Sequence, residues 1–169
     1  MRLPLVLAFA ALAVASHGWA CSVAGIAGPA ELVQEADLIV RATAVGYIDR
    51  QDVDDRGRRL IRFDVLEVVK GPTVQQLRIR GALSPDDDYN DRPAPYAFVR
   101  PYGRRGDCFA SHYRQGGQFL LMLKPESGGY TPYWSPLAPV NEQLHSDRDP
   151  WIVWVRREVA GRARPAEKD

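Results

Sequence analysis

The chain has 169 residues, enough to bury a core unaided, and its hydrophobic share of 46% is that of an ordinary single globular domain. The formal net charge of +1 leaves no global basic field to recruit nucleic acid, so the arginine runs at 56–59, 104–105, 156–157 and 162–164 read as solvated faces. No internal repeat and no long low-complexity segment is present.

The chain opens with Arg2, an apolar run from Leu3 to Val14, and Ser16–Ala20 with small residues at the minus-three and minus-one positions of a cut. This layout predicts a signal peptide over 1–20 and an exported protein, secreted or periplasmic, whose first mature residue is Cys21. Two alternatives stay open. Ala13-Val14-Ala15 is a second A-x-A pattern, and Cys21 could carry a lipid, although Gly18 stands where lipid attachment normally wants a Leu-like residue. The apolar run is shorter than the roughly 20 residues a membrane span needs. In an oxidising compartment the only two cysteines, Cys21 and Cys108, are expected to pair. The chain-entropy model gives such a bond about 4.6 kcal/mol as an upper value.

Proline at the start and Glu31 in the first turn predict a short helix over 30–36. Leu38–Val45 reads as a strand with Val40, Ala42 and Ala44 on one face and Arg41 and Thr43 on the other. A charged turn over 49–57 leads to Arg59–Lys70, where Ile61, Phe63 and Val65 share a face. The phase then slips through Leu66, Val68 and Val69, which predicts a bulge. Gly71-Pro72 ends this strand, and Leu77 and Ile79 alternate with Arg78 and Arg80 in a third. Residues 82–107 form a long polar connection, a kind usually functional or mobile.

Gln118–Lys124 is an uninterrupted apolar run suited to a central strand buried on both faces. After Gly128-Gly129, Tyr130–Ser135 is expected as a fifth strand, held to a sheet edge by Pro132. Asp149-Pro150 caps a terminal helix that packs Trp151, Trp154, Val155 and Val159 inward and stops near Gly161. The expected fold is mainly β, a five-stranded closed barrel of the OB type with a short N-terminal helix and a C-terminal helix. The expected layout is a barrel domain over 21–145, a packed helix over 146–161 and a loose tail over 162–169.

Other chemistry has weaker support. Cys108, His112 and His145 match no strong zinc spacing, and a cysteine committed to a disulfide is no nucleophile for a hydrolase with His145 and Asn141. Asp86, Asp88 and Asn90 begin a calcium-loop pattern, but Asp91 replaces its glycine and Ala97 its glutamate. The start at Asp52, Asp54 and Gly57 likewise meets Phe63 in place of glutamate. Tyr89, Tyr96, Phe98, Tyr102 and Phe109 lie among arginines in a mixture that could stack single-stranded nucleic acid, but they read first as packing. No enzymatic activity, no cofactor and no metal of its own are expected.

A resemblance adds to this reading. The leading Cys21-Ser22, the runs 35–45 and 63–72, the Cys108 segment leading into 119–123, and 139–144 occur in the order seen in tissue inhibitors of metalloproteinases. The chain resembles the N-terminal domain of those inhibitors, of the netrin-like superfamily, and in particular its single-domain bacterial relatives. The resemblance implies that the α-amine and carbonyl of Cys21 chelate the catalytic zinc of a partner protease, with Ser22 entering its specificity pocket and Val23 beside them. The chain departs from the family at Val23, Trp134 and Gln34, where family cysteines would fall, and no disulfide-rich second domain is expected within these 169 residues. The implied function is that of a monomeric protein-binding module, inhibitor-like through Cys21, Ser22 and Val23. The alternative is a non-inhibitory cell-envelope module, with or without a lipid on Cys21.

Overall fold

A computed structural model of the chain describes residues 25–49 and 51–163. In chain order it contains α1 (Pro29–Glu35), β1 (Leu38–Tyr47), β2 (Arg59–Lys70), β3 (Gln76–Ser84), a 3-10 turn (Pro101–Arg104), β4 (His112–Arg114), β5 (Gln118–Glu126), β6 (Gly129–Thr131), β7 (Asn141–Leu144) and α2 (Pro150–Ala163). The sheet runs β4-β3-β2-β1-β5-β6, with β7 beside β6 on the outer edge of β5, and curls into a nearly closed barrel. Every ladder is antiparallel except β3 with β4.

Seven strands replace the five expected. The two additions, β4 and β7, are three and four residues long, and the polar sequence of β7, Asn141-Glu142-Gln143-Leu144, gave no apolar alternation to mark it. The fifth expected strand shortens to Gly129–Thr131 and stops before Pro132, which has no N–H to extend a ladder. The phase slip foreseen in β2 appears as two register shifts in its ladder with β1, which skip Val69 and Leu66, and a third shift, not foreseen, skips Val45 of β1.

Two apolar layers share the central strands. Phe119, Leu121 and Leu123 of β5 join Val40, Ala42, Phe63 and Ile79 inside the barrel. Leu120 and Met122 face the other way, against Leu32, Trp151, Ile152 and Val155 of the two helices. Burial on both sides is why this strand shows no polar alternation. Lys70 fastens α1 to the barrel by donating to the Val33 and Gln34 carbonyls at 2.9 and 2.8 Å, groups that the end of a helix leaves without partners. The next residue is Gly71 at φ +98°, where a Cβ would come within 2.5 Å of the Asp37 carbonyl oxygen.

The start of α2 is fixed by Asp149, which is 2% exposed. Its Oδ1 accepts from the Trp151 N–H at 2.9 Å, its Oδ2 from the His145 N–H at 3.0 Å, and its carbonyl from the Val153 N–H at 3.1 Å. Arg156 on this helix meets Glu67 of β2 at 2.5 Å, and Arg41 reaches the same carboxylate at 3.3 Å. The helix runs on through Gly161 to Ala163, two residues past the expected stop.

Asp149→Ala removes a cap and leaves two N–H groups without their acceptor, so it should lower the unfolding free energy by about 1–2 kcal/mol in urea titration. Asp149→Asn, which keeps the Oδ1 acceptor, should lose less than half of that.

Candidate functional site

Between β3 and β4 the chain runs through residues 85–111 with no strand of its own, and the polar groups of a loop this long need partners wherever they leave water. Arg100 supplies them. Its side chain is fully buried, with Nε donating to the Asn141 carbonyl at 3.0 Å and Nη1 to Asp88 Oδ2 at 2.7 Å. Nη2 donates to the carbonyls of Ala110 and His112, each at 2.7 Å. The guanidinium lies over the rings of Tyr113 and Phe119 at 5.5 and 5.3 Å. One planar fork thereby joins the loop to β4 and β7, a geometry a lysine ammonium would not reproduce.

Glu142 closes the cluster from β7. Its Oε1 accepts the Arg100 backbone N–H at 3.1 Å and its Oε2 accepts Asn90 Nδ2 at 2.7 Å, while the same Asn90 amide donates to the Phe98 carbonyl at 2.8 Å. Asn141 Nδ2 donates to the Ala110 carbonyl and the Tyr113 hydroxyl, both at 2.9 Å. Burial pushes the Glu142 carboxyl up to about 7, against the pull of the Arg100 charge and of its two N–H donors, and Asp88 adds repulsion in the same direction. The loop's outer turn is tied by Arg104, which donates to the Val99 carbonyl and pairs with Asp91, both at 2.6 Å. A connection expected to be functional or mobile is thus pinned along its length, because the burial of one charge requires its neighbours to stay in place.

From this anchored loop the chain presents Cys108. Both Cys108 and Leu137 have φ of 61°, in the left-handed region that costs residues with a side chain. They hold each other there: the Leu137 N–H donates to the Cys108 carbonyl at 2.7 Å, and the Leu137 carbonyl accepts from Val99 N–H at 2.8 Å. Val99 precedes Arg100, so the strained pair sits directly on the pinned segment. No cysteine among the described residues is a free thiol.

The described chain begins on the same face. Gly25, Ile26 and Ala27 line a shallow groove with Glu35, Lys124 and Trp134, and Ile26, Ala27 and Trp134 pack onto the helix-side core. Lys124 Nζ lies 5.1 Å from the Trp134 ring centre. Ser135, next to Trp134, also borders the groove, and its carbonyl accepts from Ala138 N–H at 3.3 Å in the turn that carries Leu137. The segment 134–137 therefore links the start of the described chain to Cys108. Cys21, Ser22 and Val23 themselves lie outside the described residues.

The other candidates separate. His112 Nε2 lies 2.9 Å from the Tyr102 hydroxyl with the two rings 3.7 Å apart, and burial lowers its pKa. His145 stacks on Tyr89 at 3.8 Å. Among the described residues, no group of three His, Cys, Asp or Glu side chains is arranged to hold a metal ion. Of the loop aromatics, Tyr96 is buried against Trp151 at 5.2 Å and Phe109 meets Tyr133 edge-on at 5.2 Å. Sequence reasoning gave Glu142 no role, met Arg100 only as one of several loop arginines, and took Asn90 and Asp88 for the start of a discounted calcium loop. Asn141 entered only as a discounted hydrolase partner, and a run of three polar residues before Leu144 carried no hint of complete burial.

No family model matches the chain, and no curated protein is significantly similar to it.

The Glu142 carboxyl holds its proton to higher pH in the folded state than in an unfolded chain, so folding takes up a proton between about pH 4.5 and 7. Stability contributed by this group is full below that window and falls as pH rises through it. Between pH 5 and pH 7.5 the Glu142 contribution should fall by about 2–3 kcal/mol, read in urea titrations as the difference in pH dependence between wild type and Glu142→Gln, which cancels the opposite trend from the partly buried His112.

Proposed function

We propose that the chain is an exported protein-binding module, an OB-type barrel related to the N-terminal domain of metalloproteinase inhibitors. Its working edge is Cys21, Ser22 and Val23 beside the Cys108 ridge. The observation that carries this reading is the meeting of the start of the described chain and Cys108 at the two ends of segment 134–137. From Gly25 back to Cys21 is four residues, so the proposed bond requires Cys108 to lie within a reach of about 14 Å plus the span of a disulfide. Trp134 stands where the family has a further cysteine, and its packing beside Ile26 and Ala27 supplies an apolar clamp on the N-terminal segment in place of a second bond. Two left-handed residues with side chains, maintained by hydrogen bonds from a pinned loop, fit a rigid platform for a partner.

In this proposal the zinc belongs to the partner. The Cys21 α-amine has a reference pKa near 8, so about a tenth is neutral at pH 7, and the metal draws the free base by coordination. The amine nitrogen and the Cys21 carbonyl oxygen displace the partner's attacking water, and a wedge already held by a disulfide loses little freedom on binding.

The test is a comparison of the processed protein with a form extended by one N-terminal alanine, assayed against a panel of zinc proteases. The proposal predicts inhibition by the processed form and a loss of at least about a hundredfold on extension, since acylation removes the amine from the metal. Equal inhibition by both, or none by either, rules out chelation. Intact mass of the exported protein reports the same residue independently: loss of two hydrogens marks the disulfide, whereas a large mass gain on Cys21 marks the lipid-bearing envelope module.

A further inference from the structure

Within the pinned loop, directly before Cys108, the chain makes a turn through Arg105-Gly106-Asp107, and all three residues are exposed. The turn is held from both sides. The Arg105 N–H donates to the Tyr102 carbonyl at 3.1 Å, and the Tyr102 N–H donates in turn to Asp88, the carboxylate that also takes Arg100. On the other side the Cys108 carbonyl is fixed by Leu137. Gly106 has φ +109°, a backbone conformation that residues with a side chain rarely adopt.

The charges of this turn differ from those of the loop beneath it. Asp88 pairs with Arg100 at 2.7 Å and Asp91 with Arg104 at 2.6 Å, whereas Arg105 and Asp107 enter no ion pair, with each other or with any other described residue. The Arg105 guanidinium carbon lies 5.7 Å from the Tyr102 ring centre, and Asp107 borders a hollow with His112. Two opposite charges, two residues apart, are thus presented to solvent without neutralising each other. One carboxylate is too few to hold a divalent cation, which takes six or more oxygens, but it can complete a cation already seated in another protein.

We propose that this turn is a binding site for a receptor protein that carries a divalent cation beside an acidic pocket. Asp107 gives a carboxylate oxygen to an open position on the receptor's cation, and Arg105 sets its guanidinium on a receptor carboxylate as a two-pronged pair. A uniformly acidic or uniformly basic surface would repel one of the two side chains, so the partner presents a positive and a negative centre side by side. The short Asp107 side chain on a fixed turn suits a cation, whose bonds allow little play in length, and the longer Arg105 suits a pocket. Because the turn is ordered before docking, little freedom is lost on binding. The site uses no group of Cys21 and stands whether or not the Cys21 amine chelates zinc.

The probe is a panel of purified ectodomains of integrins that read Arg-Gly-Asp, immobilised and exposed to the full processed protein in manganese, with binding followed by biolayer interferometry. At least one should bind, and EDTA should weaken it by roughly tenfold or more. Asp107→Glu, which keeps the charge but moves the carboxylate by one methylene, and Arg105→Gln should each cost a similar factor. Arg157→Glu, on the exposed side of α2, should change it less than about twofold. The form extended by one N-terminal alanine should bind as wild type does, which separates this site from the Cys21 edge. Both turn substitutions lie at exposed positions and should keep the wild-type urea midpoint, so lost binding reports the contact and not the fold. Binding to no member of the panel, binding that survives EDTA or Asp107→Glu, or an equal loss on N-terminal extension overturns the site.

Discussion

A single buried guanidinium holds the least regular part of this protein in place. Arg100 has no exposed surface, and a cation removed from water is tolerable only when nearly every donor is used. Its partners are the carbonyls of Asn141, Ala110 and His112 and the carboxylate of Asp88, which belong to β7, β4 and the loop itself. Glu142 and Asn90, bonded to each other, then grip the backbone at the Arg100 N–H and the Phe98 carbonyl. Losing any one of these leaves a charged or polar group buried and unmatched, so the cluster orders the loop all at once. The ridge at Cys108 and Leu137 inherits that order through Val99.

The β1, β2 and β5 strands were legible because each places apolar residues where a pleated strand needs them, and the β5 run was long enough to signal burial on both faces. The helix caps were legible from Pro29 and Asp149, whose side-chain chemistry acts within one turn. What could not be read was held together across the chain. Arg100 lies more than forty residues from Asn141 in sequence, and nothing local distinguishes it from Arg92 or Arg105. Strand β7 reads as a polar loop because its side chains are buried by distant partners, Asn141 with Ala110 and Tyr113, Glu142 with Arg100 and Asn90, and Gln143 with Asp87 and Asp88, a match that no period reveals.

The Cys108 ridge and the arginine-lined seam between β3 and β6 are neighbours. Phe109, next to Cys108, meets Tyr133, and Tyr133 reaches both the Arg58 guanidinium at 5.1 Å and the Arg80 carbonyl. Under the proposed function the edge beside Cys108 presents the amine of Cys21, and the neighbouring seam between β3 and β6 is lined by Arg58, Arg78 and Arg80. Pinning by Arg100 supports the ridge at Cys108 through Val99, and the proposed Cys21 edge rests on that ridge.

The most direct measurement is hydrogen exchange by mass spectrometry on Arg100→Lys beside wild type. A lysine keeps the charge but loses the fork that spans four acceptors. If Arg100 is what orders this region, amides over 98–111 and 137–143 should lose protection by roughly tenfold or more, while β1, β2 and the apolar centre of β5 keep theirs. Unchanged protection over 98–111 would show that the loop and the Cys108 ridge are held by something other than the buried arginine.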